Sequence, residues 1–495
     1  MKKLITGFLL AALLLQTVGC GSEETGVSGN DSTFTTAESG KTTTQETTIN
    51  APDLPDVKMD GKEFNILTQG WCSWAPLDIV DVGITEQNGE ILNDKAYERK
   101  SAIEEKYDCV INEVYDPSGG TDAVTMINSA VMAGDNLYDI AVIRSLRYNS
   151  LITSGNLTDL SIVPHLELEN GYYVEQSYDA LSIDGTHYGI VSEITTNANL
   201  LTFCAYFNKV MLDNYKLDSI YDLVRDGKWT LYKMQEMGKA VAADVNNDGK
   251  YDSNDRYGVV HVVDAVEGFV SASGVKLAGM KNGKIEKTYK SESAIGKMQH
   301  IFDILSDKQT IFNVHARVSD SKEVNKLETG MFIDGQALFT VAGLFYAPLF
   351  RDMNDDFGIV PMPKYDEAQE DYISPIFANL FPITVIPRSN DDLDSTGILL
   401  EELSYRGQTE LVPALYDTIL SGKCARDDDS VEMLNMIFEK PSYDIGMIFD
   451  FGGVRTEIRN ILHTLNGNFS STFASIDSKV DANIDELIKA VDENK

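Results

Sequence analysis

Gly330-Met-Phe-Ile-Asp-Gly335-Gln-Ala-Leu-Phe-Thr-Val-Ala-Gly343-Leu-Phe-Tyr346 says most about how this chain folds. Gln336–Val341 reads as a strand, Ala342-Gly343 as the turn that ends it, and Phe345 and Tyr346 as aromatics placed just beyond. Apolar or alternating runs of the same kind occur at Phe64–Leu67, Val110–Val114, Asp139–Ile143, Leu200–Phe207, Tyr257–Val263, Phe357–Val360 and Ile383–Ile386. Helical stripes lie between them. Ile91, Leu92, Ala96, Ile103 and Tyr107 share one face, as do Leu231, Met234 and Val241, and Ile295, Met298, Phe302 and Leu305. Strands alternating with helices in a long chain predict α/β layers. The last hundred residues read as mostly helix, with stripes at Val431, Leu434 and Phe438, at Val454, Ile458, Ile461 and Leu465, and at Val480, Ile484, Leu487 and Val491. No repeat of fixed period is visible.

The N-terminus sets the compartment. Met1-Lys2-Lys3 is basic, Leu4–Leu15 is apolar but shorter than the roughly 20 residues that cross a bilayer, and Gln16-Thr17-Val18-Gly19 precedes Cys20. This order predicts a signal peptide over 1–19. The small residues before Cys20 resemble a bacterial lipobox, in which the thiol is acylated; Thr17 stands where Leu is commoner. Stable attachment needs more than one acyl chain. Residues 20–56 read as the lipidated Cys and a Ser/Thr/Glu-rich tether, too poor in apolar surface to offset its ordering entropy.

The 495 residues carry 77 Asp and Glu, a net charge of −36 and a pI of about 4.4. Such acidity repels phosphate backbones and argues against nucleic acid as a partner. A hydrophobic fraction of 43% with 24% charged residues is globular. Cys72, Cys109, Cys204 and Cys424 match no zinc spacing and no CxxC pattern; pairing outside the cell and buried free thiols both stay open.

The sharpest motif is Asp244-Val-Asn246-Asn-Asp248-Gly249-Lys250-Tyr-Asp252-Ser-Asn-Asp255. It reproduces EF-hand ligand spacing: side-chain oxygens of Asp244, Asn246, Asp248, Asp252 and Asp255, the Lys250 carbonyl, and Gly249 at the sharp turn. Asp255 replaces the commoner Glu, as in dockerin modules, and Tyr257-Gly-Val-Val-His leaves as a strand. The expectation is a structural Ca2+ site.

Ligand candidates follow from strand ends, where open α/β sheets bind ligands. Trp71 and Trp74, two of only three Trp, lie in the loop after the first strand, and a flat indole suits the apolar face of a pyranose. Arg144 follows Asp139–Ile143 and offers a fork of donors to hydroxyls. Phe345, Tyr346 and Asn379 complete the candidate set; Trp229, which opens a helix at Thr230, reads as packing.

Over residues 60–460 the chain resembles extracellular solute-binding proteins of family 1, the maltose- and oligosaccharide-binding group of ABC importers. The resemblance rests on the order of several segments: Tyr138–Ile143 leading to Leu157–Leu160; Gly185-Thr-His-Tyr-Gly189; Leu201 to Phe207-Asn208-Lys209; Gly227-Lys-Trp-Thr230; the loop ending Asp255-Arg-Tyr-Gly258; Gly330–Gly343; and Phe357-Gly-Ile-Val-Pro-Met-Pro363-Lys-Tyr365. It implies a two-lobed periplasmic-binding-protein-like fold of type II, with a hinge between lobes and ligand in the interlobe cleft. The implied divisions are lobe 1 at 57–197, lobe 2 at 198–368 with the calcium loop, a return to lobe 1 at 369–406, and C-terminal helices, mainly on lobe 2, at 407–495. Crossings are implied near Thr195–Asn199, Asp366–Tyr372 and Leu403–Thr409. Phe345 stands where relatives stack an aromatic on sugar. The implied activity is not enzymatic: a lipid-anchored, monomeric protein on the outer face of the cytoplasmic membrane, or the periplasmic side in a diderm, takes a carbohydrate and delivers it to ABC permease subunits. The alternatives are a non-sugar solute such as a peptide or polyamine, and a secreted glycoside hydrolase. No GxSxG, HExxH or phosphate loop is present, and the six His are scattered in sequence.

Overall fold

A computed structural model describes residues 49–70, 82–118, 121–281, 283–351, 353–420 and 428–495. Among the described residues, nine strands build two sheets: β1 (Lys62–Gln69), β2 (Cys109–Asp116), β3 (Ile140–Arg144), β4 (Phe203–Asn208), β5 (Tyr257–His261), β6 (Ile311–Asn313), β7 (Ala337–Gly343), β8 (Phe357–Val360) and β9 (Pro382–Val385). The first sheet has the order β9-β3-β1-β2 and the second β6-β5-β7-β4-β8.

Burial explains which strands were apolar runs. Every residue of β4, β5, β7 and β8 is buried, because helices cover both faces of a largely parallel sheet. At the edge, β2 alternates and leaves Val110 and Tyr115 exposed.

The two sheets share one plan. In each, a first strand sits centrally (β1, β5), the second lies outside it (β2, β6), the third lies on its other side (β3, β7), and next comes an antiparallel strand arriving from the other lobe (β9, β4). In the first sheet, β9 comes from lobe 2 and runs antiparallel to β3; in the second, β4 comes from lobe 1 and runs antiparallel to β7 and β8.

The connecting segments are hydrogen-bonded to each other. The Phe377 N–H donates to the Leu201 carbonyl at 3.1 Å and Thr202 bridges to Ile376, while inside lobe 1 Ile190 and Thr384 of β9 exchange backbone bonds of 3.0 and 2.8 Å. The return to lobe 1 therefore runs through Ile376–Phe381, later in the chain than Asp366–Tyr372. It is fixed by pairing with the outgoing segment, which composition does not display. Leu403 and Gly407 stay on lobe 1: buried Arg99 donates to the carbonyls of Glu193, Ile194 and Leu403 at 3.2–3.5 Å, and a Cβ on Gly407 would collide with the Glu193 carbonyl. Beyond 427 the helices touch both lobes: Asp428–Glu439 packs on β8, whereas helix Phe469–Asn494 ends on lobe 1, where Asn494 donates to the Ile152 carbonyl and Lys495 pairs with Asp184.

Trp229 is fully buried, its Nε1–H donating to the Pro361 carbonyl at 2.9 Å, beside Thr230, whose hydroxyl caps helix Leu231–Val241. It is a packing residue. Cys109 and Cys204 are buried, and the Cys204 thiol donates to the Ala342 carbonyl at 3.7 Å; Cys72 and Cys424 lie outside the described residues.

Candidate ligand-binding site

Strand register fixes where the two sheets face the hinge. Phe203, the first residue of β4 after the outgoing crossing, pairs with Gly343, the last of β7; Pro382, the first of β9 after the return crossing, pairs with Arg144, the last of β3. Each sheet thus turns the carboxyl ends of its parallel strands toward the crossings, the end at which α/β sheets bind ligands.

On lobe 2, those ends gather a polar group from separate elements. Asp264 follows β5, His315 follows β6, Tyr346 follows β7, Glu328 projects from helix Ser321–Ile333, and Arg459 comes from helix Val454–Thr464. Arg459 pairs with Asp264 at 2.7 Å, and the Tyr346 hydroxyl donates to Glu328. The Asp264 and Arg459 side chains are 16% and 30% exposed, so this wall is partly open. Burial raises the Glu328 carboxyl, opposed by the Tyr346 bond and helped by the nearby Asp264 charge. Burial lowers the His315 imidazole, with Asp264 pulling the other way. His261 and His463 lie close by, so His residues scattered in sequence converge in space. The wall offers both carboxylate acceptors and cationic donors, a set suited to hydroxyls, which donate and accept.

On lobe 1, Gln69 ends β1 at 1% exposure, with neither amide atom hydrogen-bonded. A buried unpaired amide costs about 1–3 kcal/mol per group. Ser145 ties the end of β3 to the return crossing: its N–H donates to the Phe381 carbonyl at 3.0 Å and its hydroxyl to the Ala378 carbonyl at 2.8 Å.

The structure brings Arg144 and Asn379 together at this junction, Arg144 opposite Pro382 and Asn379 in the turn just before it. Tyr346 stands on the lobe 2 wall through Glu328. Phe345 is 1% exposed, packed 4.5 Å from Tyr346 and 5.8 Å from Phe377, which itself stacks on Phe203 at 3.8 Å. It is part of the aromatic packing of the hinge and presents no open ring face in this arrangement. Trp71, Trp74 and Cys20 lie outside the described residues. Sequence reading missed Asp264, His315, Glu328, Arg459 and Gln69. The available signal was position: Asp264 and His315 come three and two residues after strand ends.

The 244–255 loop is shaped by its own side chains. Asn247 and Gly249 adopt φ of +59° and +78°. Asp244 Oδ2 accepts the Gly249 N–H, Asp248 the Lys250 N–H and Asn246 the Asp248 N–H, at 2.8–2.9 Å. Asp244 Oδ1 is buried without a partner, which fits a cation ligand. Asp255 fits less well: its oxygens accept from Val245 and Asp252 N–H at 2.9 Å. Among the described residues no three His, Cys, Asp or Glu are gathered as a metal-binding set.

No protein-family model matches the chain, and no curated protein does. Solved structures do. An ABC substrate-binding protein from Listeria monocytogenes in complex with cycloalternan is 13% identical with a TM-score of 0.54, over 87% of this chain and 99% of that one. The galacto-N-biose/lacto-N-biose I-binding protein of an ABC transporter from Bifidobacterium longum, in complex with lacto-N-biose, is 12% identical at 0.56 over 87% and 98%. A cyclo/maltodextrin-binding protein complexed with maltotetraose is 13% identical at 0.54 over 88% and 98%. All three are binding proteins rather than enzymes. Together with the register of β4 and β9, these similarities establish that the chain has the two-lobed α/β fold of the substrate-binding proteins of ABC transporters.

Proposed function

We propose that this protein binds a carbohydrate, most simply an oligosaccharide, between its lobes and passes it to ABC permease subunits after hinge closure. The observation that carries the reading is the polar wall of Asp264, His315, Glu328, Tyr346 and Arg459 at the strand ends of lobe 2, facing a hinge of paired crossing segments. The ligands named for the similar structures, cycloalternan, lacto-N-biose and maltotetraose, support a sugar over a peptide or polyamine. No bond is made or broken in such a cycle; the fold of transport proteins disfavours a glycoside hydrolase. The basic, apolar, Cys20-terminated leader supports lipid anchoring at the outer membrane face, with residues 20–56 as the tether. A single binding unit needs no second copy, so the protein acts as a monomer. We also assign a structural Ca2+ to Asp244, Asn246, Asp248, the Lys250 carbonyl, Asp252 and Asp255, on the loop spacing and the partnerless Asp244 Oδ1; Asp255 must give up one N–H bond to join.

Titration calorimetry with maltotetraose, lacto-N-biose and cycloalternan, and with spermidine and a tetrapeptide as alternatives, tests the assignment. Saturable heat from a sugar alone is the expected result. Binding of spermidine or peptide only would replace the ligand class, and release of a shortened sugar would make the protein a hydrolase.

A further inference from the structure

Away from the cleft, a recess of about 410 Å3 runs along β6, the outer strand of the lobe 2 sheet. Its character is unusual for a chain of net charge −36. Among the described residues none of those lining it is Asp or Glu, while Lys308, Arg317 and His463 all contribute. A second recess, about 540 Å3, shows the chain's ordinary pattern: five carboxylates line it, and its two lysines are neutralised, Lys228 by Asp226 at 3.0 Å and Lys233 by Asp218 at 2.8 Å.

Arg317 has no carboxylate partner among the described residues. Its Nη1 donates to the Tyr251 carbonyl and the Tyr257 hydroxyl, and its Nη2 to the carbonyls of Lys308 and Ile311, at 2.6–3.4 Å. The guanidinium carbon lies 4.8 Å from the Phe312 ring centre and 5.4 Å from that of Tyr257. These contacts hold the cation in place and leave its charge uncompensated, and a half-buried charge is costly without a counter-ion. The Arg317 Nε–H and the Lys308 ammonium remain as donors. Leu305, Ile311, Ala316 and Leu465 add apolar wall. The volume is that of a small-molecule pocket, far larger than one inorganic ion requires.

We propose that this recess is a second binding site, for a small organic anion whose carboxylate or phosphate meets Lys308 and Arg317 and whose apolar part lies on Leu305, Ile311 and Leu465. It does not rest on the sugar-binding reading: Lys308, Arg317, Leu305, Ile311 and Leu465 are no part of the polar wall, and His463 alone lies near both.

The test is calorimetry on the full chain with hexanoate, hexyl phosphate, inorganic phosphate and hexan-1-ol, on wild type and on Lys308→Glu. The expected result is saturable binding of hexanoate or hexyl phosphate with Kd at or below about 1 mM, weakened about tenfold in Lys308→Glu. Which of the two binds more tightly identifies the anionic group. Lys308 is exposed, so the ligand-free variant should melt as the wild type does. Gln309→Glu, at a second exposed lining position, should weaken binding in the same direction. Absence of saturable binding, equal binding to Lys308→Glu, or hexan-1-ol binding as tightly as hexanoate would overturn the proposal. Inorganic phosphate binding more tightly than both organic anions would also overturn it, since the apolar wall would then contribute nothing.

Discussion

Arg459 reaches from helix Val454–Thr464 to Asp264, just past β5, and pairs with it at 2.7 Å. Two elements about two hundred residues apart thereby place a cation and a carboxylate side by side at the mouth of lobe 2. Partly exposed pairs of this kind contribute only about 0–1 kcal/mol to folding, so stability does not account for the arrangement. A ligand role does. Asp264→Asn should therefore lower sugar affinity by at least about tenfold, the loss of one hydrogen bond to a charged group, while the ligand-free melting temperature barely moves. Calorimetry and a thermal melt on the same preparation check both halves.

Gln69 makes a complementary case on lobe 1. Its amide is buried and unpaired, so Gln69→Met, close in shape and without polar atoms, should leave the ligand-free protein as stable as wild type or more so. Sugar affinity should fall. A variant that loses stability would show that the amide is held by the protein itself.

Much of this fold was legible because strands buried on both faces must be apolar throughout: Ile140–Ile143, Tyr257–His261, Ala337–Val341 and Phe357–Val360 stand out for that reason. β6 did not, because Ile311–Asn313 is three residues long and borrows its strand character from β5. The return crossing at Ile376–Phe381 is not legible in sequence, because its position depends on pairing between Leu201 and Phe377. Phe345 read as an open aromatic because nothing in sequence announces Phe377 beside it. The polar wall was hidden most completely, since Asp264, His315, Glu328, Tyr346 and Arg459 come from five elements that only the tertiary fold assembles.

Two buried groups set opposing pH dependences. Burial pushes the Glu267 carboxyl up to about 7 from 4.5, against the pull of Arg455, and pulls the His261 imidazole down to about 4 from 6.5. For Glu267 the folded state holds its proton more tightly than the unfolded chain, so its contribution is complete below 4.5 and is lost as pH rises through 7. For His261 the contribution is complete above 6.5 and is lost as pH falls through 4. Each is worth about 3 kcal/mol. The wild type should thus change little between pH 4 and 7, while Glu267→Gln becomes less stable toward acid and His261→Gln less stable toward neutrality. Urea denaturation across this range reads both slopes.

The loop at 244–255 gives a metal test. With Kd of roughly 10⁻⁴ M, Ca2+ at a hundredfold excess should stabilise the protein by about 2.7 kcal/mol, and Asp244→Asn should remove most of that gain. An unchanged melting temperature at about 10 mM Ca2+ would refute the assignment.

Small-angle X-ray scattering with and without saturating sugar addresses the hinge most directly. Pairing of the two crossings at Leu201 and Phe377 gives the lobes a hinge, so added sugar should shrink the radius of gyration and leave the mass that of a single chain. Identical scattering curves, recorded at a sugar concentration that calorimetry shows to be saturating, would contradict closure around the ligand.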